Sequence, residues 1–315
     1  MSDSYVGFAS VYDKLMDAVP YAEWNKRIVD AIDRYGISKR VRSPKALPEG
    51  GLDSALSGSG EDYKNDCPEE EYTEEMDGFE AGHVPTREEC LESERNLVVD
   101  LGCGTGTITE LLYNEGFDMI GIDNSEEMLE IAFEKRDESG SDILYLNQDM
   151  LELELYSTVG TVVSVCDSLN YLTGEDDLET VSGLVHNYLY PGGLFIFDLN
   201  TVYKYREVIG ESTIAESRED CSFIWDNYYD SESGINEYDL TLFVRGEDGR
   251  YDRFEETHFQ RGFEAEEVEK LLRKTGFEII KLVDSESGEK PDGATERIFV
   301  IAKCIKNDVI QGSKD

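Results

Sequence analysis

The chain has 315 residues, 39% hydrophobic, 31% charged and 10% aromatic, with 70 Asp and Glu against 29 Lys and Arg for a net charge of −41. That is enough apolar material for one large domain or two small ones, which excludes a disordered or fibrous chain. The N-terminus has no basic start with an apolar run, and no stretch approaches the roughly 18 apolar residues of a membrane span, so the expectation is a soluble, cytoplasmic protein without a membrane partner. A surface this negative repels phosphate backbones, so long nucleic acid is a disfavoured partner and none is expected. Six cysteines (67, 90, 103, 166, 221 and 304) show neither C-x-x-C nor His/Cys spacing, and with three histidines in all no metal site is expected.

In chain order, apolar residues from Tyr5 to Arg42 recur at helical spacing (Tyr5, Phe8, Tyr12, Leu15, Val19, then Trp24, Ile28, Ala31, Ile32) with a break at Pro20. Two helices, an arm over residues 1–42, are predicted. Residues 43–94 turn to Gly, Ser, Pro and acid, with 16 acidic and 4 basic residues between 44 and 95. Such a segment buries too little apolar surface to offset chain entropy and reads as a disordered or loosely ordered insertion. Beyond it, short β-branched runs alternate with amphipathic ones: strands over Leu97–Leu101, Met119–Ile122, Ile143–Leu146, Thr161–Cys166 and Leu194–Leu199, helices near 107–115, 126–137 and 176–190. This βαβ alternation predicts a parallel sheet with helices on both faces and ligands at the carboxyl ends of its strands.

The period then changes to two. Cys221–Tyr229, Glu237–Arg245 and Tyr251–Gln260, separated by turn sequences, read as a three-stranded antiparallel meander inserted at about 218–262. A helix over Glu264–Lys274 and strands over Glu278–Val283 and Arg297–Cys304 complete a domain over 95–304, with a tail at 305–315. The fold class expected is α/β, a Rossmann-like doubly wound, mostly parallel seven-stranded sheet carrying the meander and an N-terminal helical lid.

The strongest motif is Val98-Val99-Asp100-Leu101-Gly102-Cys103-Gly104-Thr105-Gly106, a strand running into a glycine turn that opens a helix. A dinucleotide fingerprint would have its third glycine one residue later, where Thr107 stands. Asp100 is unwelcome beside a pyrophosphate and suits a cation. S-adenosylmethionine (SAM) carries a sulfonium and an ammonium and no phosphate. Asp123 closes the second strand, where a carboxylate can accept both ribose hydroxyl protons, and Asp149 follows the third, where it can take the adenine amino proton. Candidate cofactor contacts are therefore Asp100, Gly102, Cys103, Gly104, Gly106, Asp123 with Asn124, Asp149 with Met150, and Tyr12, Cys166 and Asp167 around them. Cys103 reads as a small packing residue and not a nucleophile.

These motifs, D-x-G-x-G-x-G at Asp100–Gly106, the acid at Asp123 and N-x-D at Asn147–Asp149, resemble the class I SAM-dependent methyltransferases. The likeness covers residues 97–304 in strand order, and Tyr5–Asp13 looks like the arm that closes over the cofactor in that family. Cys166–Leu172, Asp198–Thr201 and the meander most resemble the YqeM-like bacterial methyltransferases, relatives of sugar-amine and glycine N-methyltransferases; the insertion at 43–94 departs from that pattern. The resemblance implies methyl transfer to nitrogen or oxygen of a small-molecule acceptor.

Transfer from a sulfonium needs no acid for the leaving group, so catalysis rests on positioning and on excluding water. Ser168, Asn170 and Tyr171 after strand four, and Asn200 after strand five, are expected at the mouth where the acceptor lies, with Tyr5 and Tyr12 reaching in from the arm. His258, on a face shared with Phe254, Glu256 and Gln260, is the candidate base, with a cross-strand brace as its other reading. Catalytic candidates are thus His258, Tyr12, Ser168 and Asn170; acceptor candidates are Tyr5, Tyr171 and Asn200. Two other functions stay open: a catalytically silent SAM-binding regulator, and a SAM-using enzyme that transfers no methyl group. The latter would want an arginine near the methyl group, and none lies in the motif loops. The oligomeric state stays open.

Overall fold

The computed structural model describes residues 6–17, 19–45, 86–246 and 248–306. The arm forms α1 (Val6–Leu15) and α2 (Tyr21–Tyr35), parted near Pro20 as the apolar spacing predicts. In the domain that follows come α3 (Arg87–Asn96), β1 (Leu97–Leu101), α4 (Thr107–Asn114), β2 (Asp118–Asp123), α5 (Glu126–Ser139), β3 (Leu144–Asn147), β4 (Val159–Ser164), α6 (Asp177–Tyr188) and β5 (Leu189–Asn200). Then β6 (Thr213–Ser217), β7 (Cys221–Asp230), β8 (Ile235–Arg245) and β9 (Tyr251–Arg261) precede α7 (Ala265–Lys274), β10 (Phe277–Asp284) and β11 (Arg297–Cys304).

Seven strands form one sheet in the order β10-β11-β5-β4-β1-β2-β3, parallel except for β11, which runs antiparallel to both neighbours. Its central strands are buried on both faces because alternate residues point to opposite sides. Val99, Val162 and Phe195 pack with Val181 and Val185 of α6 and Leu272 of α7, while Val98, Val163 and Ile196 pack with Trp24, Ile28 and Ile32 of α2 and Leu112 of α4. The chain order reverses between β1 and β4. This switch point sets the glycine loop after β1 beside the loop after β4, the place where a doubly wound sheet takes its ligand.

Two expectations are corrected. The meander has four strands, because β6 adds to β7 by pairing Thr213–Ser217 with Ser222–Asp226. The insertion, expected to run from 43 to 94, does not extend past 85. Thr86 opens α3 with a capping box, its hydroxyl accepting from Glu89 N while the Glu89 carboxylate accepts from Thr86 N. Asn96 Oδ1 then accepts from Lys39 N at 3.1 Å, and Thr158 donates to Glu94 at 2.8 Å. On the other side Lys45 N donates to Asn114 O. Residues 46–85 and the tail from 307 lie outside the described residues. Among the described residues no helix is long and apolar enough to cross a membrane.

Candidate active site

The glycine turn is held against β2 from behind, as Gly102 N and Cys103 N both donate to Ile122 O. A side chain at Gly102 would meet Ser168 Cβ at 2.7 Å, and its φ of +76° is one that glycine adopts freely. At Gly104 the opposite holds: no atom lies within 4 Å of a Cβ position, so this stretch of backbone faces open space. Burial pushes the Asp100 carboxyl up to about 7, opposed by the Thr109 hydroxyl that donates to it at 2.6 Å. Asp123 accepts from Gly104 N at 2.7 Å and Ser125 N at 2.9 Å, one bond on each oxygen, and burial raises its pKa. Asp149 engages Leu151 N through one oxygen and stands exposed beyond β3, as Asn124 does beyond β2, and half-buried Met150 brings its Cε to 3.5 Å from a Cβ position at Gly102. Burial, Asp100 and Asp123 together push the Cys103 thiol up, which makes it a poor nucleophile.

Cys166 and Asp167, after β4, both have positive φ (62° and 55°), a left-handed pair that costs non-glycine residues energy. The surroundings impose it. Asp167 N donates to the Asp198 carboxylate, Asp167 Oδ1 accepts from Arg297 at 2.8 Å and Oδ2 from Gln260 at 3.0 Å. Arg297 also bonds the fully buried Asp198, whose pKa burial raises to about 6 against the pull of that guanidinium. No arginine lies in the motif loops themselves, as the sequence has it, but Arg297 of β11 reaches this one, where two carboxylates already neutralise it.

The residues expected at the acceptor mouth divide. Ser168 donates to Gly102 O and Val165 O, locking the two loops together. Asn170 is wholly buried, donating to Asn200 O and Arg261 O and accepting from Asn200 N, so it is an internal brace and not a mouth residue. Asn200 is buried too, between the Tyr205 hydroxyl at 3.0 Å and Lys204 Nζ at 3.1 Å. Tyr171 does stand exposed, its hydroxyl 2.9 Å from that of Tyr238 and 3.3 Å from His258 Nδ1. His258 is buried, stacked on Tyr238, with Nε2 3.0 Å from Glu256. Both ring nitrogens are engaged, which is the cross-strand brace and leaves no open lone pair for a base.

Tyr12 lies half-buried beside Tyr21, Cys166, Asp167 and Tyr171, and burial foremost raises its hydroxyl pKa. Tyr5 lies outside the described residues. The next residue, Asp13, carries a contact that the sequence did not reveal. Its Oδ1 accepts from Thr105 at 2.7 Å and Thr107 at 3.3 Å, and its Oδ2 pairs with Lys135 of α5 at 2.6 Å. Lys135 in turn donates to both threonines, fastening the arm onto the glycine loop. No spacing announces this latch, since its parts lie up to 122 residues apart. Under the arm, a hollow of about 40 Å³ borders Tyr12, Asp100, Gly102, Cys103 and Cys166. Next to it, sharing Cys166, a cavity of about 560 Å³ is walled by Trp24, Asp167, Lys204 and Arg297.

The family described as "Methyltransferase domain" matches residues 98–193. The protein of Bacillus subtilis (strain 168) named "Putative methyltransferase YqeM" is 34% identical over 307 residues, 97% of this chain and 99% of that one. The crystal structure of a SAM-dependent methyltransferase from Clostridium acetobutylicum shares 32% identity with a TM-score of 0.62, over 70% of this chain and 89% of that one. A Streptomyces venezuelae enzyme named as an N,N-dimethyltransferase of a dTDP-amino-sugar is 30% identical over 105 residues, 33% of this chain and 43% of its own.

Proposed function

We propose, from the premise that this chain belongs to the YqeM family of SAM-dependent methyltransferases, that it methylates the nitrogen of a small amine held in the cavity beside Cys166 and Asp167. SAM, when bound, supplies an electrophilic methyl group on a sulfonium. The residues present fit that ligand. Gly104 leaves room beside the loop, Asp123 is held in place by two backbone donors yet keeps lone pairs for a diol, and Asp149 has a second oxygen beyond its bond to Leu151. Asp123 and Asp149 would hold the adenosine, and Asp100 with the glycine turn the cationic amino-acid end.

The cavity carries the acceptor reading. Its volume of about 560 Å³ lies within the roughly 300–1,000 Å³ typical of small-molecule sites, and it meets the cofactor hollow at Cys166. Nitrogen is favoured over oxygen because a neutral amine attacks without losing its proton first, whereas a hydroxyl needs a base. Ser168, Asn170, Asn200 and His258, the polar groups that sequence reasoning set there, are all engaged in internal bonds. The name of the Streptomyces relative points the same way. Tyr12 over the hollow and Tyr171 at the edge would orient the acceptor and exclude water.

The test uses the full chain. Calorimetry is expected to show binding of SAM and its demethylated product and none of NAD. Incubation with methyl-¹³C SAM and a metabolite extract is then expected to place label on an N-methyl carbon, read by its chemical shift. Label confined to O-methyl carbons overturns the amine assignment, and NAD binding tighter than SAM overturns the cofactor site.

A further inference from the structure

Resting on the acceptor cavity just assigned, we propose that Lys204 seats an anionic group of the acceptor, so that the substrate is an amine that also carries a carboxylate or phosphate. Three cations wall the cavity: Arg27, Lys204 and Arg297. Arg27 is bonded to Glu23 at 2.6 Å and to Ser285 O, and Arg297 is clamped between Asp167 and Asp198. Lys204 differs. Its ammonium donates once, to Asn200 Oδ1 at 3.1 Å, and no carboxylate lies within 4.0 Å of it among the described residues.

Of the five carboxylates of the same wall, Glu286 and Glu296 stand exposed toward solvent, and the other three are engaged. Asp167 accepts from Arg297 and Gln260, Glu23 from Arg27, and Asp284 from the Glu286 and Ser287 amides of its own hairpin. Asp167, Glu296 and Asp198 act on Lys204 only through their longer-range field, and burial, followed by the repulsion of Arg297, still depresses its pKa. Of the three donors of this half-buried ammonium, one meets a protein acceptor and two remain for a ligand. A carboxylate or phosphate brings the missing oxygens, and charge-assisted bonds of this kind are strong.

Position supports the assignment. Lys204 begins the π-helical turn Lys204–Ile209 that leaves the carboxyl end of β5, an irregularity common at functional sites. The cavity runs from there to Cys166, where the cofactor hollow begins. An acceptor anchored at Lys204 is thereby held at one end while its amine is free to face the methyl donor, which converts binding into orientation.

The experiment titrates the full chain, saturated with S-adenosylhomocysteine, with inorganic phosphate and separately with acetate, at constant ionic strength, by calorimetry. Lys204→Gln keeps a donor for Asn200 Oδ1 and removes the charge; Lys204→Arg keeps the charge. At least one anion is expected to bind saturably to the wild type, about tenfold or more weakly to Lys204→Gln, and within about threefold to Lys204→Arg. Tighter phosphate assigns a phosphorylated acceptor and tighter acetate a carboxylated one. No saturable binding of either anion, or equal binding to Lys204→Gln, overturns the proposal. Failure of the wild type to bind S-adenosylhomocysteine would instead bring down the methyltransferase reading of the site.

Discussion

Burial holds the Asp100 carboxyl at about 7, although the Thr109 hydroxyl bonds it. Because this folded-state pKa lies above the ordinary 3.8, its contribution to stability is fully present below that value and is lost as pH rises through about 7. Asp100→Asn is therefore expected to raise the Tm of the ligand-free protein at pH 8 by about 3 °C or more, with the difference shrinking toward pH 5. Thermal scans of both proteins across that range check it. SAM affinity of the wild type should fall in the same window as the carboxylate protonates, and the variant should bind SAM weakly at every pH. At Asp123 the expected loss is of a different kind. Asp123→Ala removes the carboxylate proposed to accept the ribose hydroxyls and also frees the Gly104 and Ser125 amides, so SAM affinity should drop by about 1.5–3 kcal/mol, measured by calorimetry.

Among the elements, α1 is the one whose position has most bearing on access. It lies against the glycine loop through Asp13, Thr105, Thr107 and Lys135, and against the meander through Lys14 with Asp220, while Asp17 just beyond it pairs with Arg218. The Lys14–Asp220 pair is largely exposed and contributes little, and Asp17 is 56% exposed opposite Arg218, whereas the Asp13–Lys135 pair has both side chains sheltered, 22% and 17% exposed, and two hydroxyl partners. With the arm in this place the hollow over the loop has about 40 Å³, enough for water and far short of a nucleoside. We propose that the arm is a lid latched by Asp13, which shifts as the amino-acid end of the cofactor enters that hollow. Asp13→Ala is expected to speed hydrogen exchange of the 6–17 peptide about tenfold, and S-adenosylhomocysteine should protect that peptide less than in the wild type. Unchanged exchange would place the arm's anchorage elsewhere.

For the whole molecule, the concern is how much of the chain the site requires. The segment 46–85 carries 12 acidic residues and one lysine, and its flanks are fixed independently, Lys45 on Asn114 and Thr86 at the head of α3. Replacing residues 46–85 with about 15 Gly and Ser residues, a linker that spans about 20 Å, is expected to leave SAM affinity within about twofold. The cut has to spare residues 86–96, because α3 ties into Lys39 and Thr158. A replacement that abolishes folding would show that the segment packs on the domain.

Local patterns were sufficient for what depends on neighbours in sequence. The bounds of β1 and β11 follow from runs of β-branched residues, α5 from its serine cap and closing Gly140, and the glycine turn with Asp100, Asp123 and Asp149 from their place at three successive strand ends. The extra strand β6 was missed because its five residues are all exposed and show no alternation, so only pairing to β7 makes it a strand. Side-chain roles behaved differently, since a polar residue near a strand end reads the same whether it faces a cavity or the interior. Asn170, Asn200 and His258 turned inward because backbone groups of β5 and β9 and the neighbouring Glu256 needed partners once these elements met. Arg297 and Asp167 are 130 residues apart, and Asp13 and Lys135 are 122 apart. No spacing rule reaches that far; those contacts exist because β11 lies beside β5 and because the arm folds back over the switch point. The sequence by itself determined the sheet, the glycine loop and the acids around it, all products of short-range periodicity and turn chemistry. Which polar groups stay open to an acceptor, and that Lys204 is left without a carboxylate among the described residues, was decided only when the strands and the arm packed together.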